Sequence, residues 1–425
     1  MASGPFVGIR ILEFTQIIAG PLGCMLLADM GAEVIKVEPV AGEPWRLQVQ
    51  FIPLESKAFQ SLNRGKQSLA MDLTQPQSRE AIHRLVADID VVVINYRPDV
   101  AARLGIDYET LKAIKPDLVY VDSTAFGRRG PLAQRPGYDI VIQSFAGLTA
   151  AGGRFDENGN PMLPGGGPTA DNQTGYAIAW AVSAALFHRE RTGRGQLVET
   201  SLLANALTVQ YGTFMSLPAA DTMVRGAMLE KLEAAEESGQ SYRDFVEERR
   251  EMMRRRGVGG VYYRCFNTKN GAIAVGCLSA SLREKMRQAL DFTDIRDKPD
   301  YDPLTPESQA FQRELTAKIE EMMASDNSER WIETLESAGV PVSSIEFVER
   351  LDQHEQVLAN DYVIDLDHDI TGPQTQVAPP IKMSDSPPQA QGAAPPLGRD
   401  NDAILASVGY SSDEITAMRD AGAIR

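Results

Sequence analysis

Apolar strand-like runs alternate with helix-length segments through the first third of this 425-residue sequence. The strand-like runs are Gly8–Phe14, Glu33–Glu38, Ser68–Leu73, Asp90–Asn95 and Leu118–Asp122. The segments predicted to be helical between most of them are 21–31, 75–88 and 98–115. Because strands and helices that repeat in this order favour a parallel sheet covered on both faces, the sequence predicts a Rossmann-like domain of the α/β class.

The turn after the first of these runs restricts the ligand that such a sheet binds. Open parallel sheets bind ligands at the carboxyl ends of their strands. Here residues 15–23 read TQIIAGPLG, which lacks the G-x-G-x-x-G spacing that lets the backbone approach a pyrophosphate. The sequence therefore excludes an ordinary dinucleotide site.

The pattern changes further along the chain. Helices are predicted at 137–150 and 171–190, and the second is apolar around most of its circumference, which predicts a buried helix. A highly charged helical stretch follows at 224–256. Two strand-like runs, 261–266 and 272–276, are joined through an Asn-Gly pair, which is typical of a β-hairpin.

The C-terminal part begins with a stretch that is rich in Pro, Ser, Gln and Ala, at 378–396, which predicts an extended linker. Two short helices are predicted after it, at 400–406 and 412–420. The predicted organisation is a large domain at 1–200 completed by 398–425, a linker at 201–224, a smaller α+β domain at 225–340 and a return linker at 341–397.

Composition excludes several classes of partner. The net charge of −16 argues against nucleic acid and anionic membranes. Residues 1–140 hold 15 Lys and Arg against 16 Asp and Glu, whereas the rest of the chain holds 27 against 42. If the ligand is an anion, it should therefore bind in the N-terminal third, although an acidic, solubilising surface on the remainder explains the same distribution equally well.

Cysteine and histidine are sparse. The three cysteines and four histidines are scattered without metal-ligand spacing, which predicts reduced thiols and no metal site. No apolar run reaches the roughly 18 residues of a membrane span, and the first residues lack the basic and apolar regions of a signal peptide. We therefore expect a soluble cytoplasmic protein.

Two glycine-rich stretches contain candidate functional residues. Residues 165–175 read GGGPTADNQTG and place Asp171 at the start of the apolar helix. A carboxylate there lies in the positive field of the helix N-terminus and stays ionised in partly dry surroundings, as a nucleophile requires, but an ordinary N-cap is the commoner use of such an aspartate. Residues 254–260 read RRRGVGG, which is typical either of a capped, solvated helix end or of a mobile loop that closes over a substrate.

Four blocks of residues follow one another between Ala19 and Gln196. They are Ala19–Pro21 with Leu27–Glu38; Asn63–Ser68 with Asn95–Pro98 and Arg103–Gly105; Phe126–Gly127, Gly130–Pro131, Pro136–Asp139, Gln143 and Gly147–Leu148; and Asp171–Gly175 with Arg191–Gln196. The hairpin region and Pro395–Asp400 fit the same pattern. In order and spacing the sequence resembles the family III CoA-transferases, which include formyl-CoA transferases and carnitine CoA-transferases.

The resemblance implies an acyl-CoA substrate, a carboxylic acid acceptor and no separate cofactor. It implies that Asp171 carries CoA between the two acids through mixed anhydrides and an aspartyl-CoA thioester. Asp139 becomes a further catalytic candidate, and the backbone N–H groups of Gly259 and Gly260 become candidate donors to the oxyanions. The residues implied for CoA binding, with the basic ones suited to phosphates, are Ile18, Lys36, Arg46, Asn95, Tyr96, Arg97, Arg103, Leu104 and Tyr138.

The resemblance further implies an interlocked homodimer, with sites between the large domain of one subunit and the small domain of the other. No residue in the sequence selects the acids that are exchanged; succinyl-CoA is a candidate donor because of its abundance. The first loop departs from the family pattern. Several transferases place a glutamine three residues after the equivalent of Thr15, whereas here Gln16 follows at once and Ile18 occupies that place.

Two alternatives to a self-sufficient transferase remain open. The α-methylacyl-CoA racemases share this fold and exchange a proton beside the thioester with histidine and carboxylate groups. Here Tyr138 precedes Asp139 where those enzymes have histidine, and tyrosine is a poor base at neutral pH. The other alternative is a non-catalytic subunit of a heteromeric transferase, against which the presence of Asp171 argues.

Overall fold

The computed structural model describes residues 4–221, 225–255, 260–296 and 300–425. The chain forms two compact units. The larger comprises Met1–Arg154, Met162–Met215 and Glu355–Arg425, and the smaller comprises Phe155–Pro161 and Ser216–His354.

Strands and helices alternate along the described residues. The strands are β1 (Arg10–Phe14), β2 (Glu33–Glu38), β3 (Lys66–Ala70), β4 (Val91–Ile94), β5 (Val119–Thr124), β6 (Arg154–Phe155), β7 (Pro161–Met162), β8 (Leu197–Ser201), β9 (Tyr263–Asn267), β10 (Ala272–Gly276), β11 (Val342–Ser344), β12 (Val363–His368) and β13 (Gly372–Val377). The helices are α1 (Ala19–Asp29), α2 (Pro44–Leu47), α3 (Lys57–Gln60), α4 (Pro76–Val86), α5 (Pro98–Leu104), α6 (Tyr108–Ile114), α7 (Asp139–Phe145), α8 (Leu148–Gly152), α9 (Thr169–Thr192), α10 (Leu202–Thr208), α11 (Tyr211–Phe214), α12 (Pro218–Asp221), α13 (Arg225–Ser238), α14 (Tyr242–Arg255), α15 (Ala280–Leu290), α16 (Pro306–Ala324), α17 (Ser328–Ser337), α18 (Glu355–Ala359), α19 (Asn401–Ser407) and α20 (Ser412–Asp420), with a 3₁₀ helix at Val348–Gln353.

A six-stranded parallel sheet forms the centre of the large unit, in the order β3-β2-β1-β4-β5-β8. It confirms the predicted α/β class and the five predicted strands, although β8 at the edge was missed. The strand order reverses between β1 and β4, so a topological switch point lies where these two strands end.

Apolar side chains are buried on both faces of this sheet. On β1, Leu12 and Phe14 contribute to one core and Ile11 to the other. On β4, Val92 belongs to the first core and Val93 to the second. Because successive residues of a strand point to opposite faces, this division explains why the strands read as nearly continuous apolar runs.

Three predicted helices differ from the structure. The segments 98–115 and 137–150 are each split in two, because Gly105 (φ 68°) and Gly147 (φ 85°) adopt the left-handed conformation. The sequence predicted that helix α9 is buried around most of its circumference, but only one face of it is buried. Its inner face packs through Ile178 and Val182, whereas Trp180 on its outer face is 76 % exposed in the single chain. No helix within the described ranges is both long enough and apolar enough to cross a bilayer.

The small unit is built on a three-stranded sheet in the order β11-β10-β9. The antiparallel pairing of β9 with β10 confirms the hairpin predicted from the Asn-Gly pair. Met286, Ile319 and Leu335, from α15, α16 and α17, lie in one buried core with β9 and β10. The charged helices α13 and α14 bury Ala235 and Val246.

The predicted linkers contain packed structure, which corrects their interpretation. Within 201–224, helix α10 buries Leu202 and Ala206 in the large unit. Within 341–397, β11 joins the small unit's sheet. Further on, the carbonyl oxygen of Gly392 accepts a hydrogen bond from the backbone of Gly65. Backbone hydrogen bonds and short strands have no compositional signal of their own, so the Pro-rich composition there was misleading.

Helices α1 and α9 pack closely at two glycines, and this contact is testable. A Cβ atom at Gly23 would lie 2.8 Å from Cβ of Ile178 and 2.9 Å from the backbone oxygen of Gly175. We expect Gly23→Ala to lower the free energy of unfolding by about 1–3 kcal/mol, because the added methyl group overpacks the contact. The control is Gly212→Ala in α11, where a Cβ atom would meet nothing within 4 Å. Urea unfolding measures both, and equal effects would contradict the close packing.

Candidate active site

A cleft with a volume of about 770 Å³ opens in the large unit, at the carboxyl ends of the first five strands. Parallel sheets bind ligands at this edge. The residues that line the cleft are Gln16, Ile17, Ala19, Val37–Ala41, Met71–Thr74, Asn95–Pro98, Val100, Leu104, Ser123–Ala125, Ala133, Arg135–Tyr138, Asp171, Leu202 and Gly422. The cleft is therefore formed mainly by the segments that leave the sheet, together with the start of α9.

Asp171 lies in the first turn of α9 but is not the N-cap, which corrects one interpretation of the sequence. The N-cap residue is Pro168, and no side chain of the segment caps the helix. Instead, Oδ1 of Asp139 accepts hydrogen bonds from the backbone N–H groups of Ala170 (2.9 Å) and Asp171 (3.1 Å). Asp139 thus satisfies helix donors that have no partner inside the helix.

The carboxyl group of Asp171 is poorly solvated. Asp171 is 8 % exposed, and its side chain accepts no hydrogen bond from any residue that the structure describes. Burial, together with the negative charge of Asp139, raises the pKa of Asp171 to about 7. The sequence led us to expect a carboxylate that the helix N-terminus holds ionised, whereas burial shifts its pKa in the opposite direction.

Asp139 is held in place by its neighbour Gln143. The Gln143 side-chain amide donates to Oδ2 of Asp139, one helical turn earlier. Asp139 is 9 % exposed, and Gln143 is fully buried. Both oxygens of Asp139 therefore have partners, and the structure brings the two predicted catalytic carboxylates together with distinct roles.

Five of the predicted CoA-binding residues line the cleft. They are Asn95, Tyr96, Arg97, Leu104 and Tyr138. Arg97 is exposed and forms an ion pair with Asp99 at 3.4 Å. Asn95 does not present a free side chain, because it donates to the carbonyl oxygen of Gln16 and accepts from its N–H group. The Asn95 side chain therefore holds the backbone of the first loop.

Lys36 and Arg46 do not reach the cleft, which corrects their assignment to CoA phosphates. Both are fully buried. Lys36 forms ion pairs with Glu13 and Glu43, and these carboxylates hold the pKa of the lysine above its ordinary value despite the opposing effect of burial. Arg46 binds both carboxylate oxygens of Glu38 and donates to a backbone carbonyl. Neither cation is available to a ligand.

Of the four remaining predicted residues, the two that belong to the large unit are not among the residues that line the cleft. Ile18 is the N-cap residue of α1, and Arg103 lies exposed on α5 outside the residues that form the cleft. Gly259 lies outside the described residues. Gly260 belongs to the small unit, where its carbonyl oxygen accepts a hydrogen bond from Tyr263. Oxyanion stabilisation by these two glycines stays a prediction.

Arg135 is a cleft residue that the sequence reasoning missed. It is exposed and lines the cleft beside Tyr138. Among the residues that the structure describes, it forms no ion pair. Its position directly before the Pro136–Asp139 block was the available signal, because loops that connect strands to helices at this edge contribute ligand contacts.

Comparisons with known proteins find one family whose members match nearly the whole chain. Residues 6–401 match the sequence model of CoA-transferase family III. The succinyl-CoA:glutarate CoA-transferase of Homo sapiens is 30% identical over 99% of this chain and 90% of its own length. The formyl-CoA:oxalate CoA-transferase of Rhodopseudomonas palustris (strain BisB18) is 30% identical over 98% of this chain and 96% of its own. The crystal structure of Rv3272 from Mycobacterium tuberculosis is 26% identical, with a TM-score of 0.75 over 95% of this chain and 100% of that one.

The electrostatic coupling of the two carboxylates predicts the effect of Asp139→Asn. The asparagine oxygen still accepts from the helix N–H groups, but the negative charge is lost, so the pKa of Asp171 falls. Carbon-13 NMR of aspartate-labelled protein measures this pKa, with Asp171→Asn to assign the resonance. Asp72→Asn removes a different carboxylate from the same cleft and is the control. An unchanged pKa in Asp139→Asn, or an equal shift in both variants, would contradict the coupling.

Proposed function

The chain belongs to CoA-transferase family III, and on this basis we propose that it moves CoA from an acyl-CoA to a carboxylic acid through a thioester on Asp171. One observation carries the proposal. Asp171 is a nearly buried carboxylate without a hydrogen-bond donor among the described residues, and it faces a cleft large enough for an extended ligand. Ligand pockets of roughly 300–1,000 Å³ hold molecules of cofactor size.

The first half of the proposed reaction loads the enzyme with CoA. A carboxylate oxygen of Asp171 attacks the carbonyl carbon of the donor thioester, and the carbon–sulfur bond breaks to give a mixed anhydride and CoA thiolate. The thiolate then attacks the aspartyl carbonyl carbon. The donor acid leaves as a carboxylate and takes the bridging oxygen with it, so Asp171 becomes an aspartyl-CoA thioester.

The second half returns CoA to the acceptor. The acceptor carboxylate attacks the aspartyl thioester, and CoA thiolate leaves as a second anhydride forms. The thiolate then attacks the acceptor's carbonyl carbon in this anhydride. Cleavage releases the new acyl-CoA and restores the Asp171 carboxylate, which now contains one oxygen from the acceptor. No proton or external energy source is consumed.

The environment of Asp171 favours nucleophilic attack and protects the proposed anhydrides from water. A carboxylate whose pKa is about 7 is more basic than an ordinary aspartate, and it is weakly hydrated. It therefore attacks a carbonyl carbon more readily once ionised. Burial also limits the access of water, which would hydrolyse the anhydrides.

Two exposed arginines of the cleft are candidates to bind the phosphates of CoA. Arg97 and Arg135 both line the cleft and are exposed. A guanidinium group binds phosphate through two parallel hydrogen bonds. Arg97 was already assigned to CoA from the sequence. Arg135 is added to it, and Lys36 and Arg46 are withdrawn as phosphate contacts.

The names of the relatives suggest which acids to assay first. Those relatives are described as succinyl-CoA:glutarate and formyl-CoA:oxalate CoA-transferases. We propose an acyl-CoA donor and a carboxylate acceptor of this kind, with succinyl-CoA and glutarate as the first pair and formyl-CoA and oxalate as the second.

We also propose that the protein is a homodimer in which the outer face of α9 is covered. Tyr176, Trp180 and Phe187 are 51 %, 76 % and 63 % exposed in the single chain. They lie on α9, whose first turn contains Asp171. Monomeric proteins rarely expose large apolar side chains in clusters, so a second copy of the chain is the occupant we propose.

Loss of the nucleophile tests the reaction. We expect Asp171→Asn to lower kcat by at least about 10³-fold, because amide nitrogen and oxygen do not form the anhydride. After incubation with acyl-CoA alone, mass spectrometry of wild-type protein should show a CoA thioester on the peptide that contains Asp171, and the variant should show none. Asp72→Asn, which changes another carboxylate of the cleft, should retain the adduct. Turnover by Asp171→Asn at the wild-type rate would refute the mechanism.

The dimer proposal has its own test. Trp180→Glu places a charge in the proposed interface and should shift the protein from dimer to monomer in sedimentation velocity experiments. The control is Val49→Glu, since Val49 is 84 % exposed and lies outside α9. A wild-type protein that sediments as a monomer, or a Trp180→Glu variant that remains a dimer, would contradict the proposed interface.

A further inference from the structure

The loop between β1 and α1 holds a strained residue in the wall of the cleft. Ile17 has a φ of 75°. A β-branched side chain rarely adopts this left-handed conformation, and such outliers persist only when their surroundings enforce them. Gln16 and Ile17 line the same cleft as Asp171. The contacts that enforce this conformation therefore bear on the shape of the cleft.

Three consecutive residues of the loop are anchored by buried or half-buried side chains. The carbonyl oxygen of Thr15 accepts from Nζ of Lys36 at 2.9 Å. The N–H and C=O groups of Gln16 are both bound by the Asn95 side chain. The N–H of Ile17 donates to Oε2 of Glu43 at 2.7 Å. Side chains thus replace the backbone partners that a regular element would supply.

The anchor at Ile17 belongs to a buried ionic network. Glu43 lies 2.9 Å from Nζ of Lys36, which in turn lies 3.1 Å from Glu13. Glu13 also pairs with Lys66 at 2.8 Å, and Lys66 donates to the carbonyl oxygen of Pro21 in α1. All four charged side chains are essentially inaccessible to solvent. The network therefore supports the loop from the protein interior, and its charged side chains are not accessible to a ligand.

Burial of such charges needs an explanation other than stability. Replacing a buried ion pair with apolar side chains is often neutral or stabilising, because the loss of hydration offsets the attraction. The hydrogen bond from the strained backbone of Ile17 to Glu43 supplies such an explanation. Without an acceptor there, the N–H group of Ile17 loses its partner and the chain relaxes to an ordinary φ, which moves the wall of the cleft.

We propose that Glu43 is a positioning residue that holds Ile17 in its left-handed conformation and so shapes the cleft for CoA. The inference rests on the proposed function, because it takes CoA as the ligand of the cleft. Glu43 acts through the backbone of the first loop and makes no contact with substrate. Lys36, in the same way, serves the loop rather than a phosphate.

A double-mutant cycle between Glu43 and Ile17 tests the proposal. Glu43→Met fills the space without an acceptor, and we expect it to weaken CoA binding about tenfold or more in isothermal titration calorimetry. Glycine adopts a φ of 75° without strain. In an Ile17→Gly background the same Glu43→Met change should therefore weaken binding no more than about threefold. An equal loss in both backgrounds would overturn the proposal.

A conservative variant and a matched control separate positioning from general destabilisation. Glu43→Gln retains an acceptor oxygen and should bind CoA within about threefold of wild type. Glu55→Ala removes another buried glutamate, paired with Arg46, that does not contact the loop. It should lower the melting temperature and leave the affinity for CoA unchanged. Loss of affinity in Glu55→Ala equal to that in Glu43→Met would contradict a specific role for Glu43.

Kinetic measurements distinguish this inference from the proposed function. In the transferase assay Glu43→Met should raise KM for the acyl-CoA more than it lowers kcat, and Ile17→Gly should restore KM. If wild-type protein binds no CoA, the proposed function fails. If wild type binds CoA and Glu43→Met binds it equally well, only the role of Glu43 fails. If Glu43→Met does not fold, Glu43→Gln takes its place, and a loss of CoA affinity greater than about threefold in that variant overturns the proposal.

Discussion

The contact between Asp139 and the start of α9 sets the local environment of Asp171. Oδ1 of Asp139 accepts hydrogen bonds from the backbone N–H groups of Ala170 and Asp171. These donors are therefore not available to the carboxylate of Asp171. Asp171 is thereby left with free lone pairs, little solvent and a negative neighbour, and its pKa rises to about 7. A carboxylate that is both basic and weakly hydrated is what repeated attack on carbonyl carbon requires.

The parallel sheet and one close helix contact bring the remaining parts to the same edge. Helix α1 packs on α9 where Gly23 meets Gly175, so the loop before α1 and the first turn of α9 open onto one cleft. Beneath the loop, buried charges hold its backbone in a conformation that the sequence alone disfavours. Buried polar groups thus support both the backbone of the first loop and the first turn of α9.

The sequence predicted the sheet well because its strands are buried on both faces and read as apolar runs. The glycine-rich loop and the helix that follows it indicated Asp171 as a candidate nucleophile, and the structure places this residue in the wall of the cleft. The sequence does not distinguish a lysine that faces solvent from one that faces buried glutamates, so Lys36 and Arg46 were misassigned. The cap on α9 comes from Asp139, 32 residues earlier, and such a contact has no local pattern. The exposed face of α9 likewise depends on which neighbours the fold supplies.

The most direct test of the central claim, that Asp171 itself carries CoA between the two acids, follows the transfer of oxygen. In a single turnover with an acceptor acid labelled in both carboxylate oxygens with ¹⁸O, the anhydride pathway delivers one labelled oxygen to the carboxylate of Asp171. Mass spectrometry of the peptide that contains Asp171 should show the gain of one ¹⁸O, with no label at Asp139 or Asp72. Turnover that leaves Asp171 unlabelled would show that CoA passes between the acids without a covalent bond to this residue.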